Sequence, residues 1–319
     1  MADIKLAFIG AGLIGSGLAI NAVTSGIPAA VQTRSKVERT SKSIEDGIAF
    51  LEKKNVITKE QADKARTLYT VTTSIEEACK GASLIQESGP DDIELKHGII
   101  AQIEAAADPC AIICTSTSSK SITEVFSAAE HPERCMGGHP YNPAYLIPLI
   151  EITKGAKTED AYVAKAKEIY EAMGKVPVVL NKEVIGFIAN RYQSAIHREA
   201  VDLVENGVCS VEDADKALVY GVGIRWGIMG QFLTMHLGVA PEGIGMFNEK
   251  YHIDVTKPDG RLSNMPTWNV FPADWTKLAA EGLDEAIAHR DPSTGNDMES
   301  IAAWRDDMLV DILRLHKLL

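Results

Sequence analysis

Residues 4–15 read Ile4-Lys5-Leu6-Ala7-Phe8-Ile9-Gly10-Ala11-Gly12-Leu13-Ile14-Gly15, an apolar β-type run that ends directly on Gly-x-Gly-x-x-Gly. Each glycine has its own physical task. Gly10 permits the tight turn, Gly12 lets the backbone approach a pyrophosphate, and Gly15 lets helix pack on strand. Spacing alone carries little weight, but Ser16 to Val23 follow as a small-residue helix, which is the strand–turn–helix context the motif requires. The start of that helix, at Leu13 and Ile14, aims free N–H groups at an anion. These residues predict a dinucleotide clamp.

Outward from the turn, short β-branched runs alternate with helical patterns, the signature of a doubly wound parallel sheet with crossover helices. The strands expected are Lys5–Ile9, Ala29–Thr33, Thr70–Thr72, Leu84–Gln86, Ala111–Cys114, Arg134–Gly137, Leu149–Ile152 and Val176–Leu180. Thr58 with Gln61, Ser74 with Glu77, and Ser121 with Glu124 have the spacing of capping boxes and mark helix starts between them. After Leu180 strand-like runs nearly disappear. A long helical period takes over from Phe187 to Glu205, Ser210 supplies a further N-cap, and a last helix runs from about Met298 to Leu318. The chain therefore reads as a dinucleotide-binding Rossmann-type domain, 1–185, followed by an all-α domain, 186–319, for substrate and dimerisation.

A chain of 319 residues with 32 basic and 44 acidic side chains has a formal charge of −12, which argues against nucleic acid or an anionic membrane as partner. The apolar stretch Leu6 to Val23 is punctuated by glycine and lacks a basic leader, so it fits the nucleotide turn better than a signal or a membrane span. Five cysteines, with no Cys-x-x-Cys spacing, imply the cytoplasm. Cys110 and Cys114 fall on one face of an expected strand and read as buried packing residues rather than metal ligands.

The end of the second strand selects the nicotinamide cofactor, because a carboxylate there binds ribose hydroxyls and repels a phosphate. This chain has Gln32-Thr33-Arg34-Ser35-Lys36 instead, with no acid before Glu38. Arg34, beside Thr33 and other hydroxyls, accepts a 2′-phosphate through charge-assisted bonds, which favours NADP, with NAD as the alternative.

Three further segments place polar residues where a core would exclude them. Cys114-Thr115-Ser116-Thr117-Ser118-Ser119 follows an apolar strand, at the edge where open α/β sheets bind ligands. Gly137-Gly138-His139-Pro140-Tyr141-Asn142-Pro143 follows the next. Glu151 stands alone inside the apolar Leu149-Ile150-Glu151-Ile152, a costly position unless it is paired. A histidine near that carboxylate supplies what alcohol oxidation needs: His139 removes the hydroxyl proton, Glu151 fixes its tautomer, and Ser118 bonds the substrate oxygen. Asn190, in the first turn of the long helix, is placed to offer an amide to the same chemistry.

Together the glycine turn, Thr115–Ser119, Gly138-His139-Pro140-Tyr141-Asn142-Pro143, Pro148–Glu151 and Gly186-Phe187-Ile188-Ala189-Asn190-Arg191 resemble the L-3-hydroxyacyl-CoA dehydrogenase superfamily over nearly the whole chain. Ile85–Lys96, Gly223-Ile224-Arg225-Trp226, Leu233–Leu237 and Trp304-Arg305-Asp306 are most similar to its branch of L-gulonate and L-carnitine dehydrogenases. The resemblance implies His139 as acid/base with Glu151 as its partner. It also implies Ser118 and Asn190 as ligands of the reacting oxygen, and Asp91, Lys96 and Asn142 where the superfamily contacts cofactor or holds the site. The sequence departs from the pattern twice: Thr33 stands where a ribose-binding acid is usual, and Asp91 where glutamate is usual.

The wider superfamily handles CoA thioesters, whereas that branch takes free 3-hydroxy carboxylates. Arg225, between Ile224 and Trp226, favours the free acid, since its guanidinium forks onto a carboxylate that a thioester lacks. Lys53 and Lys54 are the corresponding candidates for CoA phosphates, and Tyr220, Trp226, Trp268 and Trp275 for a cationic headgroup. The alternatives are a 3-hydroxybutyryl-CoA dehydrogenase and, in another class, a crystallin-like protein that binds cofactor without chemistry. Unburied amphipathic faces in the helical domain, and the resemblance, imply a homodimer.

Overall fold

The computed structural model of the protein describes residues 4–252, 254, 256 and 265–319. All eight expected strands form: β1 (Leu6–Ile9), β2 (Ala29–Gln32), β3 (Tyr69–Thr72), β4 (Leu84–Glu87), β5 (Ile112–Thr115), β6 (Cys135–Pro140), β7 (Leu149–Lys154) and β8 (Val176–Val179). They join in one sheet of order β3-β2-β1-β4-β5-β6-β7-β8. β1, β2, β4 and β5 are buried along their whole length, as expected of apolar strands covered on both faces, whereas the outermost β3 and β8 are partly exposed. The strand order reverses between β1 and β4. The glycine turn after β1 therefore opens at the switch point, where such sheets bind nucleotides.

Alternation along β1 sends Leu6 and Phe8 into one core cluster and Ala7 and Ile9 into the other, one on each side of the sheet. Helices α1 (Leu13–Thr24), α2 (Val37–Lys53) and α3 (Lys59–Arg66) fill the first side. α4 (Ile75–Cys79), α5 (Ile93–Ala106) and the short α6 (Ile122–Val125) fill the second, and α7 (Asp160–Ala172) returns to the first. Thr58 forms the full reciprocal capping box with Gln61. Ser74 and Ser121 cap in one direction only, accepting from the Glu77 and Glu124 N–H groups.

One feature departs from a fully parallel sheet. The first six strands run parallel, but β7 is antiparallel to β6, and β8 follows β7. The connection from Tyr141 to Pro148 is too short for a crossover helix, so the chain has to turn back on itself. That reversal sets His139 directly opposite Glu151.

The chain divides into two compact units, residues 1–189 with 306–319, and residues 190–305. The second contains α8 (Ala189–Glu205) from Asn190 onward, α9 (Val211–Ala217), α10 (Ile224–Ile228), α11 (Gln231–Gly238), α12 (Phe247–Lys250) and α13 (Trp275–Ala288), and α14 (Met298–Leu315) begins there. A π-helical stretch, Leu218–Gly223, joins α9 to α10. The last turns of α14 belong to the first unit, where Val310 and Leu313 are buried in its core. Among the described residues, no helix is long and apolar enough to cross a membrane.

Candidate active site

The glycine turn has the shape its sequence demands. Gly10 adopts φ +104°, and a Cβ there would lie 2.7 Å from the Ser88 carbonyl oxygen. A Cβ on Gly15 would lie 2.0 Å from the Gly10 carbonyl oxygen. Gly12 has nothing within 4 Å of a Cβ position, so the turn leaves a cradle for a ligand in front of it. α1 starts on Gly12 with no side chain capping it, which leaves its first N–H groups available to an anion. The residues present fit a dinucleotide. Beyond β2, Thr33 is buried and its N–H donates to the Thr72 carbonyl, while Arg34, Ser35 and Lys36 are exposed.

His139 and Glu151 meet across the antiparallel pair β6–β7, with Nδ1 3.3 Å from Oε2. The other carboxylate oxygen, Oε1, accepts the backbone N–H groups of Ile188 at 2.9 Å and Ala189 at 3.0 Å. Burial pushes the Glu151 carboxyl up, but the bonds from His139 and these two amides outweigh it, so it stays below the ordinary carboxylate range. An ionised carboxylate only accepts, so Nδ1 carries the proton of the neutral ring and Nε2 carries the lone pair. Tyr141 and Phe187 stand edge-on to the imidazole at 4.9 and 5.6 Å, and the Tyr141 hydroxyl donates to the same Oε2 at 3.4 Å.

The amides reach Glu151 because the long helix starts later than its apolar period suggests, at Ala189 rather than Phe187. Gly186 (φ +77°) and Phe187 (φ +48°) are both left-handed, and they turn the chain so that the next two N–H groups face the carboxylate. Gly186 also donates to the Ser118 carbonyl at 2.8 Å, which ties the serine-rich loop after β5 to the same turn.

A second buried acid went unread in the sequence. Glu87, at the end of β4, is fully buried and accepts from Lys96 Nζ at 2.9 and 3.2 Å, Thr115 Oγ1 at 2.6 Å and the Gly89 N–H at 2.6 Å. The signal was weaker than at Glu151: Glu87 lies between polar Gln86 and Ser88, whereas Glu151 lies between two isoleucines. Lys96 is 1% exposed, so its ammonium holds the Glu87 turn and lies 3.6 Å from Asp91, rather than standing open to a cofactor. Asp91 is half exposed and accepts from Ser119 Oγ at 2.5 Å. Asn142 is exposed in the β6–β7 connection.

Asn190 and Arg225 lie in the second unit, at the start of α8 and in α10. Arg225 is exposed, with no ion-pair partner among the described residues. Trp275 packs with Phe271 and His197, Trp268 donates to Asp202 at 3.0 Å, and a cavity of about 230 Å³ beside them is lined by His197, Val201, Glu205, Asp215, Trp275 and Leu283. Lys54, one of the candidates for CoA phosphates, pairs with Asp307 at 2.6 Å. Cys110 precedes β5 and is exposed, so it does not share the buried face of Cys114. No group of three or more potential metal ligands occurs among the described residues.

Comparison with known proteins matches residues 5–184 to the family model "3-hydroxyacyl-CoA dehydrogenase, NAD binding domain" and residues 186–273 to "3-hydroxyacyl-CoA dehydrogenase, C-terminal domain". The chain is 35% identical to the L-carnitine dehydrogenase of Oceanobacillus iheyensis, covering 98% of this chain and 97% of that one. It is also 35% identical to the L-carnitine dehydrogenase of Pseudomonas putida, with 98% and 93% covered. A solved 5-formyl-3-hydroxy-2-methylpyridine 4-carboxylic acid 5-dehydrogenase, described as an NAD+-dependent dismutase, superposes with a TM-score of 0.81 at 26% identity, covering 98% and 97% of the two chains. The chain belongs to the 3-hydroxyacyl-CoA dehydrogenase family and is a nicotinamide-dependent dehydrogenase that acts on a CH–OH group.

Proposed function

We propose that this chain interconverts the hydroxyl and carbonyl forms of a small free 3-hydroxy carboxylate, of the carnitine or gulonate type, with His139 as base in oxidation and acid in reduction. The cross-strand pair of His139 and Glu151 carries the reading. Nε2 takes the hydroxyl proton, and the carboxylate steadies the imidazolium that results. The nicotinamide, when bound, supplies the hydride acceptor for the carbinol carbon. Ser118 and Asn190 orient the reacting oxygen. Gly10, Gly12, Leu13, Ile14 and Gly15 hold the pyrophosphate, and Asp91 and Asn142 meet the rest of the cofactor, with Lys96 fixing the turn beneath them.

Exposed, and with no ion-pair partner among the described residues, Arg225 receives the substrate carboxylate through its fork of N–H donors. The similarity to enzymes named as L-carnitine dehydrogenases supports a free acid over a thioester. Exposed Arg34, Ser35 and Lys36 after buried Thr33 support NADP. Five unpaired cysteines suit the cytoplasm, and exposed Phe232, Leu233, Leu237 and Ile228 on the helical unit suit a homodimer.

The test is a panel of L-gulonate, L-carnitine, L-3-hydroxybutyrate and its CoA ester, each assayed with NAD and NADP. The expected outcome is the highest kcat/KM for a free acid with NADP. A preference for the CoA ester, or for NAD, overturns that part of the proposal.

A further inference from the structure

The segment between β8 and α8 contains a left-handed non-glycine residue, Phe187, and such a backbone persists only where its surroundings hold it from both sides. One side is the Glu151 carboxylate, which accepts from Ile188 and Ala189. The other is Glu183, a charged group with no part in the chemistry proposed above. Its Oε1 accepts from Ser121 Oγ at 2.9 Å and the Thr123 N–H at 2.9 Å, and its Oε2 accepts from Thr123 Oγ1 at 2.7 Å. Between these two ends, Gly186 donates to the Ser118 carbonyl.

We infer that Glu183 is a positioning residue for the reaction. Its carboxylate clasps the start of α6 and tensions residues 183–189 as a strap. The strap in turn fixes Ser118 through Gly186 and delivers the Ile188 and Ala189 amides to Glu151. Burial pushes the Glu183 carboxyl up, and the bonds from Thr123 and Ser121 more than reverse this, so the clasp is ionised at neutral pH. With the strap loosened, Glu151 loses N–H donors that share its charge, and its hold on a protonated His139 tightens.

The inference rests on the His139–Glu151 reading, so its test has two separate readouts. In Glu183→Ala, hydrogen exchange at the Ile188 and Ala189 amides is expected to quicken. The same variant is expected to lose about ten- to a hundredfold in kcat for oxidation, to keep its cofactor Kd within about twofold, and to shift the acidic limb of its pH–rate profile upward. Glu183→Gln retains an acceptor oxygen and is expected to recover most of the rate. Should Glu183→Ala not fold, Glu183→Asp, which withdraws the carboxylate by one methylene, carries the same comparison at smaller size. Unchanged exchange at both amides overturns the clasp. Faster exchange with an unaltered rate and pH profile overturns the positioning role. Failure of the underlying reading shows elsewhere, as full turnover in His139→Gln, whatever the exchange data give.

Discussion

At the scale of single residues, Glu151 is held by three kinds of donor: an imidazole, two backbone amides and a phenol. In Glu151→Gln the amide oxygen still accepts from the backbone, but its NH₂ group then faces the Nδ1 proton of His139. The ring is forced into the other tautomer, with a proton where the base should be. Oxidation is expected to fall by about a hundredfold or more with cofactor affinity unchanged, as single-turnover rates and fluorescence titration would measure. The pH dependence has a definite sign, because the folded carboxyl lies below its unfolded value near 4.5. Its stabilising contribution is complete above that value and is lost as pH falls through the folded one. The urea midpoint of the wild-type protein should therefore converge on that of Glu151→Gln as the pH drops below about 4.5.

At the scale of elements, the β6–β7 connection decides whether the two catalytic side chains meet. Lys175 anchors it from beneath, donating to the Ala144 carbonyl and, at 3.0 Å, to the Ile147 carbonyl. Burial pushes its amino group down to about 7, against 10.5 for a free lysine. Between those values the unfolded chain binds more protons than the folded one, so stability rises with pH across that window. Lys175→Met removes both bonds and is expected to cost about 1–3 kcal/mol in chemical denaturation while abolishing that pH dependence. A variant that retained the slope would exclude Lys175 as its source. Most strands were legible because they are short β-branched or apolar runs between turn residues. The reversal at β7 followed from a connection too short for a crossover, yet a doubly wound pattern reads as parallel throughout. Phe187 was illegible for a different reason: nothing in a Gly-Phe-Ile-Ala string reports a left-handed backbone, which tertiary bonds impose. Glu87 was overlooked because its immediate neighbours, Gln86 and Ser88, are polar, whereas Glu151 stands between Ile150 and Ile152.

At the scale of the whole molecule, the division into units cuts across α14, whose closing turns complete the core of the nucleotide-binding unit. Periodicity identified that helix but could not say which core its apolar face joins, since Leu309, Val310 and Leu313 suit either. Leu313→Ala is expected to destabilise the unit by about 2–5 kcal/mol, read from its main denaturation transition, and no change would remove α14 from that core. The larger claim is that one imidazole, steadied across two strands, exchanges the proton of the substrate alcohol. The most direct measurement is the single-turnover oxidation rate of His139→Gln, taken together with its cofactor Kd. The account predicts a rate lower by about a hundredfold or more at unchanged cofactor affinity. Turnover at the wild-type rate would contradict it.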